Sequence, residues 1–210
     1  SLVEQRGPLP SARVVHILRQ ACESLAEAHA VGLVHRDIKP ANIYLCHHGL
    51  EYDFVKVLDF GLVRSENPGA GQNQKLTSKG VFAGTPMYCA PEMITAGKDA
   101  DGRSDLYSLG CVAYWLLTGQ TLFEGDSPFA IISAHLHDEP TPPSVLSELE
   151  IPSDLEAIVL WCLEKDPDKR PRDAAELARR LAKCASASEW TQKRARQWWK
   201  VNHPTGGDGI

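Results

Sequence analysis

Residues 35–42 read His35-Arg36-Asp37-Ile38-Lys39-Pro40-Ala41-Asn42, which places a carboxylate, an ammonium group and an amide within one short segment. Apolar residues at helical spacing precede the segment, and a β-rich run follows it, so we predict a loop between a helix and a strand. Loops held by regular elements commonly carry functional side chains. Asp37, Lys39 and Asn42 are therefore candidate site residues.

The element before this loop is predicted to be an amphipathic helix. Apolar residues recur at helical spacing from Val14 to Ala26. Ser11 is the expected N-cap, and Gly32 can supply a left-handed stop. The helix would deliver the chain directly into the loop.

The element after the loop is predicted to be a β-hairpin. Two short β-rich runs, Ile43–Cys46 and Phe54–Leu58, flank a turn region at His47-His48-Gly49. The second strand then ends at Asp59, which adds a carboxylate close to the loop in sequence order.

Two further signatures follow the loop in a fixed order. Asp59-Phe60-Gly61 ends the hairpin, and Ala90-Pro91-Glu92 closes a polar, glycine-containing segment. Together with residues 35–42, this ordered trio resembles the protein kinase family, and the resemblance extends to about Leu181. It implies an α+β, kinase-like fold, in which these residues form the mostly helical large lobe with a small β-hairpin and the N-terminal lobe is missing.

The resemblance also implies roles for individual residues in phosphoryl transfer from ATP with Mg²⁺. Asp37 corresponds to the catalytic base, and Lys39 corresponds to the residue that neutralises the charge developing on the transferred phosphoryl group. Asn42 and Asp59 supply oxygen ligands to Mg²⁺, and Thr85 supports the base and the lysine. Taken singly, such Asp and Asn residues are commonly turn formers and such a Lys is commonly solvated, but their joint order favours the functional interpretation.

The acceptor class follows from the same resemblance. Lys39 and the segment Gly84-Thr85-Pro86-Met87-Tyr88 look like the serine/threonine branch, because tyrosine kinases typically carry an Arg in the loop and a different substrate-facing segment. The expected partner is a protein substrate with a Ser or Thr acceptor.

Regulation by phosphorylation is a hypothesis for the segment before Glu92. Arg36 directly precedes Asp37, as in kinases whose mobile segment is often ordered by a phosphate that bonds to arginine. Thr77 and Ser78 are the candidate sites. The alternative is that both are ordinary solvated loop hydroxyls.

Four positions that match the family are expected to be structural. Asp105 should hold the backbone of the loop, and Glu92 should pair with Arg170. His35 should pack beside Phe60 and take no part in acid–base work.

Further helices are predicted C-terminal to these motifs. They are Ser104–Leu117 ended by Gly119, a helix opened by a capping box at Ser153 and Glu156, Asp173–Leu181, and a basic tail helix Glu189–Lys200 that carries Trp190, Trp198 and Trp199. The tail tryptophans are expected to cap the domain or contact a missing segment, not to stack on bases. We predict a partial kinase domain over residues 1–185 and a helical extension with a frayed tail over 186–210.

Composition excludes several other classes of protein. The 210 residues are 43% hydrophobic and 23% charged, with a net charge of −5, so bulk attraction for nucleic acid is not expected. The longest apolar stretch, Leu109–Leu117, is about half of the roughly 18 residues of a membrane span.

The six cysteines stand singly, which indicates reduced thiols and a cytoplasmic location. Cys22, Cys111 and Cys162 fall on apolar helical faces and are expected to be buried, whereas Cys89 is either a packed thiol or a modifiable one.

The expected absence of an N-terminal lobe bears on activity. No glycine-rich strand, strand lysine or paired helix glutamate precedes His35, so the 210 residues alone are expected to be inactive. Two alternatives stay open, namely a pseudokinase or interaction scaffold and a small-molecule phosphotransferase of related fold. Retention of Asp37, Lys39, Asn42 and Asp59 weighs against the first.

Overall fold

The computed structural model describes residues 2–60, 86–95 and 100–202, and within them the chain is mostly helical with one two-stranded sheet. The helices are α1 (Leu2–Arg6), α2 (Ser11–Ala30), α3 (Pro91–Ile94), α4 (Gly102–Thr118), α5 (Pro128–His137), α6 (Pro143–Leu146), α7 (Ser153–Cys162), α8 (Ala174–Leu181) and α9 (Gln192–Asn202). The strands are β1 (Ile43–His48) and β2 (Glu51–Val57). Among these helices, none combines the length and the apolar character that crossing a bilayer requires.

Helix α2 leads into the candidate loop, as predicted. It ends before Gly32, whose φ of 78° lies in the left-handed region that glycine adopts without strain. The expected cap at Ser11 is wrong, because Pro10 occupies the N-cap position with an extended ψ of 139°. The Ser11 hydroxyl instead donates to Glu150 O at 3.0 Å.

Helix α4 is the centre of the core, and it packs against both α2 and α7. Asp101 caps its start by accepting from Arg103 N at 2.8 Å, and Gly119 ends it with a φ of 76°. Helix α7 packs closely against α4 at Gly110, since a Cβ atom added to this glycine would lie only 2.8 Å from Cys162 Cβ. The predicted apolar helix ended by Gly119 is therefore confirmed.

Strands β1 and β2 form the predicted hairpin, with a different turn. They are antiparallel, and Ile43 is opposite Val57 while His48 is opposite Glu51. His47 and His48 belong to β1 and not to the turn, which lies at Gly49 and Leu50. A bulge between Cys46 and His48 interrupts the register.

Helices α7 and α8 differ in how they begin. Asp173 caps α8 by accepting from Glu176 N at 2.6 Å, which agrees with the predicted start. The expected capping box of α7 is wrong, because Pro152 is its N-cap residue and no side chain caps it. Glu156 instead accepts from Ser144 N at 2.8 Å.

The tail helix begins later than predicted, at Gln192 instead of Glu189, and extends to Asn202. Trp190 precedes it and is buried with Ala12 and Ala195 in a small apolar cluster separate from the main core. The expectation that the tail tryptophans cap the domain is confirmed for Trp190. The boundary between residues 185 and 186 stays a prediction, and the tail end beyond Asn202 lies outside the described residues.

The predicted burial of Cys22, Cys111 and Cys162 is confirmed, since none is more than 3% exposed. Burial raises the pKa of the Cys162 thiol to about 12, which keeps it protonated at neutral pH. Cys89 is buried as well, and burial, followed by the nearby Glu92 carboxylate, raises its pKa to about 12. The packed-thiol interpretation of Cys89 is therefore favoured over reactivity.

Candidate active site

The loop before β1 brings three predicted side chains together around one carboxylate. Lys39 Nζ donates to Asp37 Oδ2 at 2.7 Å. Asn42 Nδ2 donates to Asp37 O at 2.8 Å and to Asp37 Oδ2 at 3.2 Å. The Asp37 side chain is 30% exposed, so the carboxylate is oriented by its neighbours and still open to a hydroxyl from outside. The predicted adjacency of Asp37, Lys39 and Asn42 is present.

Asp105 of α4 fixes the backbone of the loop through hydrogen bonds. Asp105 accepts from His35 N at 2.8 Å and from Arg36 N at 2.7 Å. Arg36 has a φ of 64°, a left-handed conformation that costs a non-glycine residue roughly 1–2 kcal/mol. The two hydrogen bonds to a buried carboxylate offset that cost, and the predicted role of Asp105 is confirmed.

His29, at the end of α2, is a third partner of Asp105, at 2.8 Å from Nε2 to Oδ2. The sequence motifs did not predict a role for this residue. The sequence feature that could have indicated its role is its position three residues before Gly32, which places a polar ring in the last turn of the helix that leads into the loop. His29 and the two backbone N–H groups together surround the Asp105 carboxylate.

His35 connects the loop to the end of the hairpin. Its Nδ1 accepts from Asp37 N at 3.2 Å, which leaves Nε2 as the protonated nitrogen, and Nε2 donates to Leu58 O at 2.7 Å. The ring also lies edge-on to Phe60, with 4.8 Å between centroids. The predicted packing of His35 beside Phe60 is confirmed.

Asn42 and Asp59 lie at the same end of the hairpin. Ile43 pairs with Val57, and Leu58 N donates to Asn42 O at 2.8 Å, so the residues that flank the two strands are neighbours. Asp59 is exposed, and its φ of 64° turns the chain as it leaves β2.

The donor set at this end of the hairpin suits a hard cation. Asn42 uses its amide N–H₂ group on Asp37, which leaves its side-chain oxygen without a hydrogen-bond donor among the described residues. Asp59 adds a carboxylate. An amide oxygen and a carboxylate are the protein ligands that Mg²⁺ accepts, so the residues present fit the metal that the sequence predicts.

Glu92 and Arg170 form a buried ion pair that fixes the chain after residues 86–88. Arg170 donates from both terminal nitrogens to the Glu92 carboxylate, at 2.7 and 2.8 Å, and Ser104 Oγ donates to it at 2.6 Å. Burial alone would raise the pKa of Glu92, but the bonds from Arg170 and Ser104 outweigh it and lower the pKa. The predicted pair is confirmed.

Comparison with known proteins gives this arrangement a family. The family model described as protein kinase domain matches residues 1–182. The chain belongs to the protein kinase family. The kinase-like fold class predicted from the sequence, a mostly helical lobe with a small hairpin, is confirmed as well.

The relatives of this kinase chain include bacterial serine/threonine-protein kinases. The serine/threonine-protein kinase PknB of Mycolicibacterium smegmatis is 40% identical over 176 residues, which cover 84% of this chain and 27% of that protein. PknB of Mycobacterium tuberculosis is 39% identical over 176 residues, with the same shares. The chain thus spans about a quarter of the length of these relatives.

A solved structure gives a consistent result for the kinase fold. The crystal structure of Rad53 1-466 in complex with AMP-PNP superimposes with a TM-score of 0.67 at 26% identity. The similarity covers 84% of this chain and 41% of that chain.

Several site residues predicted from the kinase motifs lie outside the described residues. They are Thr85, with Gly61 of the second signature, and the two phosphorylation candidates Thr77 and Ser78. The structure therefore brings together Asp37, Lys39 and Asn42, with Asp59 two residues beyond the end of β2, and the catalytic and binding roles assigned to all of these residues stay predictions.

A second buried ion pair, Arg13–Asp53, is not predicted by the sequence motifs. Arg13 donates to Asp53 from Nε at 2.8 Å and from Nη2 at 2.7 Å, and neither side chain is more than 1% exposed. Arg13 interrupts the apolar start of α2, next to Val14 and Val15. An arginine among apolar residues of a helix could have indicated a buried ion pair, because long charged side chains are rarely buried unless they are paired.

Proposed function

We propose that this chain is the catalytic large lobe of a protein serine/threonine kinase, which transfers the γ-phosphoryl group of ATP to a Ser or Thr hydroxyl of a protein. The observation that carries the proposal is the partly exposed Asp37 carboxylate, whose Oδ2 accepts from Lys39 at 2.7 Å and from Asn42 at 3.2 Å, while Asn42 also donates to the Asp37 backbone O at 2.8 Å. Membership of the kinase family and the names of the relatives support the same conclusion.

Asp37 is the proton acceptor in this proposal. Phosphoryl transfer needs an aligned hydroxyl more than a strong base, so the orientation of the carboxylate is its main contribution. The bonds from Lys39 and Asn42 both fall on Oδ2, which leaves Oδ1 free of hydrogen bonds among the described residues and available to the acceptor hydroxyl. Lys39 also places a positive charge where negative charge develops on the transferred group.

Asn42 and Asp59 would hold Mg²⁺ together with the phosphates of ATP. Bound Mg²⁺ neutralises triphosphate charge and orients the phosphates for transfer. What this chain contributes is the pair of oxygen ligands, kept together because the first residue of β1 pairs with the last residue of β2. Lys39 is the additional residue that we assign to ATP binding.

Thr85 completes the acceptor side of the proposed site. The resemblance assigns its hydroxyl a supporting role beside Asp37 and Lys39, and the serine/threonine names of the relatives favour the same acceptor class. The substrate is accordingly a protein with a Ser or Thr acceptor.

Phosphorylation at Thr77 or Ser78 is proposed as the regulatory input. Arg36 Nε is buried and has no hydrogen-bond partner among the described residues, which leaves a guanidinium donor able to bond a phosphate. Phosphosite mapping of the active enzyme tests this directly. Detection of phosphate at either residue is expected, and an active enzyme with both residues unmodified would overturn the proposal.

Activity is proposed to require the N-terminal lobe that the resemblance to protein kinases implies, and the enzyme is proposed to work in the cytoplasm. Positioning of ATP in this family depends on both lobes. The 210 residues, purified with Mg²⁺-ATP and a generic Ser/Thr substrate, are expected to give no turnover. Turnover that is abolished by Asp37→Asn would contradict this part of the proposal.

The function itself is tested on the parent protein with its N-terminal lobe. Radiolabelled ATP is supplied with a Ser/Thr peptide or with an aminoglycoside, and label transfer is measured for wild type and Asp37→Asn. Transfer to the peptide alone, lost in the variant, is expected. Transfer to the aminoglycoside would favour a small-molecule phosphotransferase, and Mg²⁺-dependent ATP binding with no transfer would favour a pseudokinase scaffold.

A further inference from the structure

Asp53 of β2 combines burial, charge and an unusual backbone conformation. Its side chain is fully buried, and its φ of 55° lies in the left-handed region that non-glycine residues seldom adopt. It lies at the bulge of the hairpin, where two residues of β2, Tyr52 and Asp53, are opposite the single residue His47 of β1. The pairs on either side are Glu51 with His48 and Phe54 with Cys46. Bulges of this kind re-aim a strand, so the surroundings of Asp53 determine how β2 runs.

Four donors from two distant parts of the chain converge on the Asp53 carboxylate. Arg13 of α2 donates two hydrogen bonds, at 2.8 and 2.7 Å. Trp190 Nε1 donates to Oδ2 at 2.9 Å, and Trp199 Nε1 donates to Oδ1 at 2.6 Å. A buried charge is stable only when its hydrogen-bonding capacity is met, and here the tail supplies half of the donors.

The tail also covers the guanidinium of the ion pair. Arg13 Cζ lies 3.7 Å from the centroid of the Trp198 ring and 5.0 Å from that of Trp190. Arg13 Nη1 is buried without a hydrogen-bond partner among the described residues, so these ring faces are its surroundings. Trp190, Trp198 and Trp199, together with Gln192, are called the tail clamp below.

Among the described residues, side chains and not a third strand bond the edge of β2 that faces away from β1. The Gln192 amide exchanges hydrogen bonds with the backbone of Tyr52, at 2.8 Å to its N–H and 3.1 Å to its O. From α2, Gln20 donates to Asp53 O at 2.9 Å and accepts from Val55 N at 3.1 Å. An exposed strand edge normally lacks such partners, so the tail clamp and α2 together fix β2 in place.

We propose that the tail clamp holds β2 in the position that presents Asp59 to the catalytic loop. Only one residue, Leu58, separates Asp59 from the end of β2 at Val57, and Leu58 is bonded to both Asn42 and His35. Asp53 and Trp199 are therefore positioning residues, which act on catalysis through Asp59. The part of this proposal that concerns Asp59 rests on the function proposed above.

The tail clamp lies outside the part of the chain that the kinase family model matches. The matched kinase model ends at residue 182, before every member of the tail clamp. Helix α9 has one buried residue, Ala195, so apolar burial along the helix contributes little to holding it. The indole and amide bonds to Tyr52 and Asp53 and the stacking of Trp198 on Arg13 are among the interactions that dock it.

The test compares two Trp→Phe variants of the parent protein. Trp199→Phe removes one indole N–H from Asp53 and keeps an aromatic ring. Trp161→Phe is the matched control, because the Trp161 indole N–H donates to Lys169 O at 2.8 Å, within residues 161–169. Hydrogen exchange of the backbone amides of residues 51–57 is measured, followed by calorimetric titration of ATP at a series of Mg²⁺ concentrations.

Trp199→Phe is expected to accelerate exchange in residues 51–57 by at least about tenfold, the change that follows from losing one hydrogen bond to a buried charge. The Mg²⁺ concentration for half-maximal ATP binding is expected to rise at least about threefold, because Asp59 is less well placed. Trp161→Phe is expected to change neither quantity.

Two outcomes would overturn the proposal. Unchanged exchange in residues 51–57 would show that the tail clamp does not hold β2. Faster exchange with an unchanged Mg²⁺ dependence would show that the clamp is structural and does not position Asp59. If the wild-type parent protein binds no ATP, the proposed kinase function fails, whereas the exchange measurement still decides whether the clamp holds the strand.

Discussion

Lys39 Nζ lies 2.7 Å from Asp37 Oδ2, and both side chains are partly exposed. The pair is not a buried structural bridge, since 26% of the lysine and 30% of the aspartate side chain remain exposed. Exposed ion pairs stabilise a fold by about 0–1 kcal/mol. The position of this pair is therefore better explained by chemistry at the site than by stability.

Lys39→Met is expected to reduce kcat of the parent kinase by about 10²–10³-fold, the effect of removing one donor aimed at developing charge. The free energy of unfolding should change by less than about 1 kcal/mol. The measurement is steady-state peptide phosphorylation together with urea unfolding. Lys56→Met, at an exposed position of β2, is the control. A kcat within about twofold of wild type would contradict the role of Lys39.

Asp105→Asn is expected to destabilise the protein by about 2–3 kcal/mol. The carboxylate accepts from His35 N and Arg36 N, and an amide nitrogen in place of one oxygen would face an N–H group without an acceptor. Urea unfolding of the variant is compared with that of Glu148→Gln, the same chemical change at an exposed residue. Equal stabilities for the two variants would contradict the anchoring role.

The sequence predicted the site better than it predicted the boundaries of the elements around it. Asp37, Lys39 and Asn42 share one short loop, so their adjacency needs no knowledge of the tertiary structure. Both predicted serine caps, at Ser11 and Ser153, are wrong for one physical reason. A proline with an extended ψ precedes each serine and takes the N-cap position, which moves the serine into the first turn.

Long-range polar contacts outside the kinase motifs were the part that the sequence could not predict. Asp53 lies 40 residues from Arg13, 137 from Trp190 and 146 from Trp199. In sequence, an aspartate beside a turn usually lies in solvent, and the tail tryptophans are expected to cap the domain or contact a missing segment, with no partner residue indicated. Only the tertiary structure reveals that their charges and indole N–H groups satisfy one another.

Arg170→Lys is expected to cost about 3 kcal/mol of stability, because removing part of a buried pair leaves the Glu92 charge incompletely compensated. A lysine cannot reproduce the two parallel bonds to Glu92 and the further bonds from Arg170 to Glu164 O and Lys165 O. Thermal unfolding measures the loss. Arg172→Lys, at an exposed neighbour, is the control, and equal melting temperatures for the two variants would contradict the prediction.

His135 is expected to make the fold sensitive to mild acid. Burial, followed by the charge of Lys165, lowers its pKa from 6.5 to about 4, and its Nδ1 lies 2.8 Å from the Tyr107 hydroxyl. Between these two pKa values the unfolded chain binds a proton that the folded chain does not, so stability falls as the pH falls. The contribution is about 2 kcal/mol between pH 7 and pH 5.

Urea unfolding at pH 7 and pH 5 tests this pH dependence. His135→Gln keeps a polar group near Tyr107 but cannot titrate, so its loss of stability at pH 5 should be smaller than that of wild type. His137→Gln, at the exposed end of α5, should behave like wild type. Identical pH dependence in all three proteins would contradict the assignment to His135.

The role of Asp37 is tested most directly by single-turnover phosphoryl transfer in the parent kinase. Wild type and Asp37→Asn are mixed with Mg²⁺-ATP and a serine peptide, quenched on the millisecond to minute scale, and assayed for phosphopeptide. A loss of about 10²–10⁴-fold in the transfer rate is expected, with ATP affinity within about twofold of wild type. Transfer by the variant at the wild-type rate would contradict the assignment of Asp37 as the proton acceptor and the function built on it.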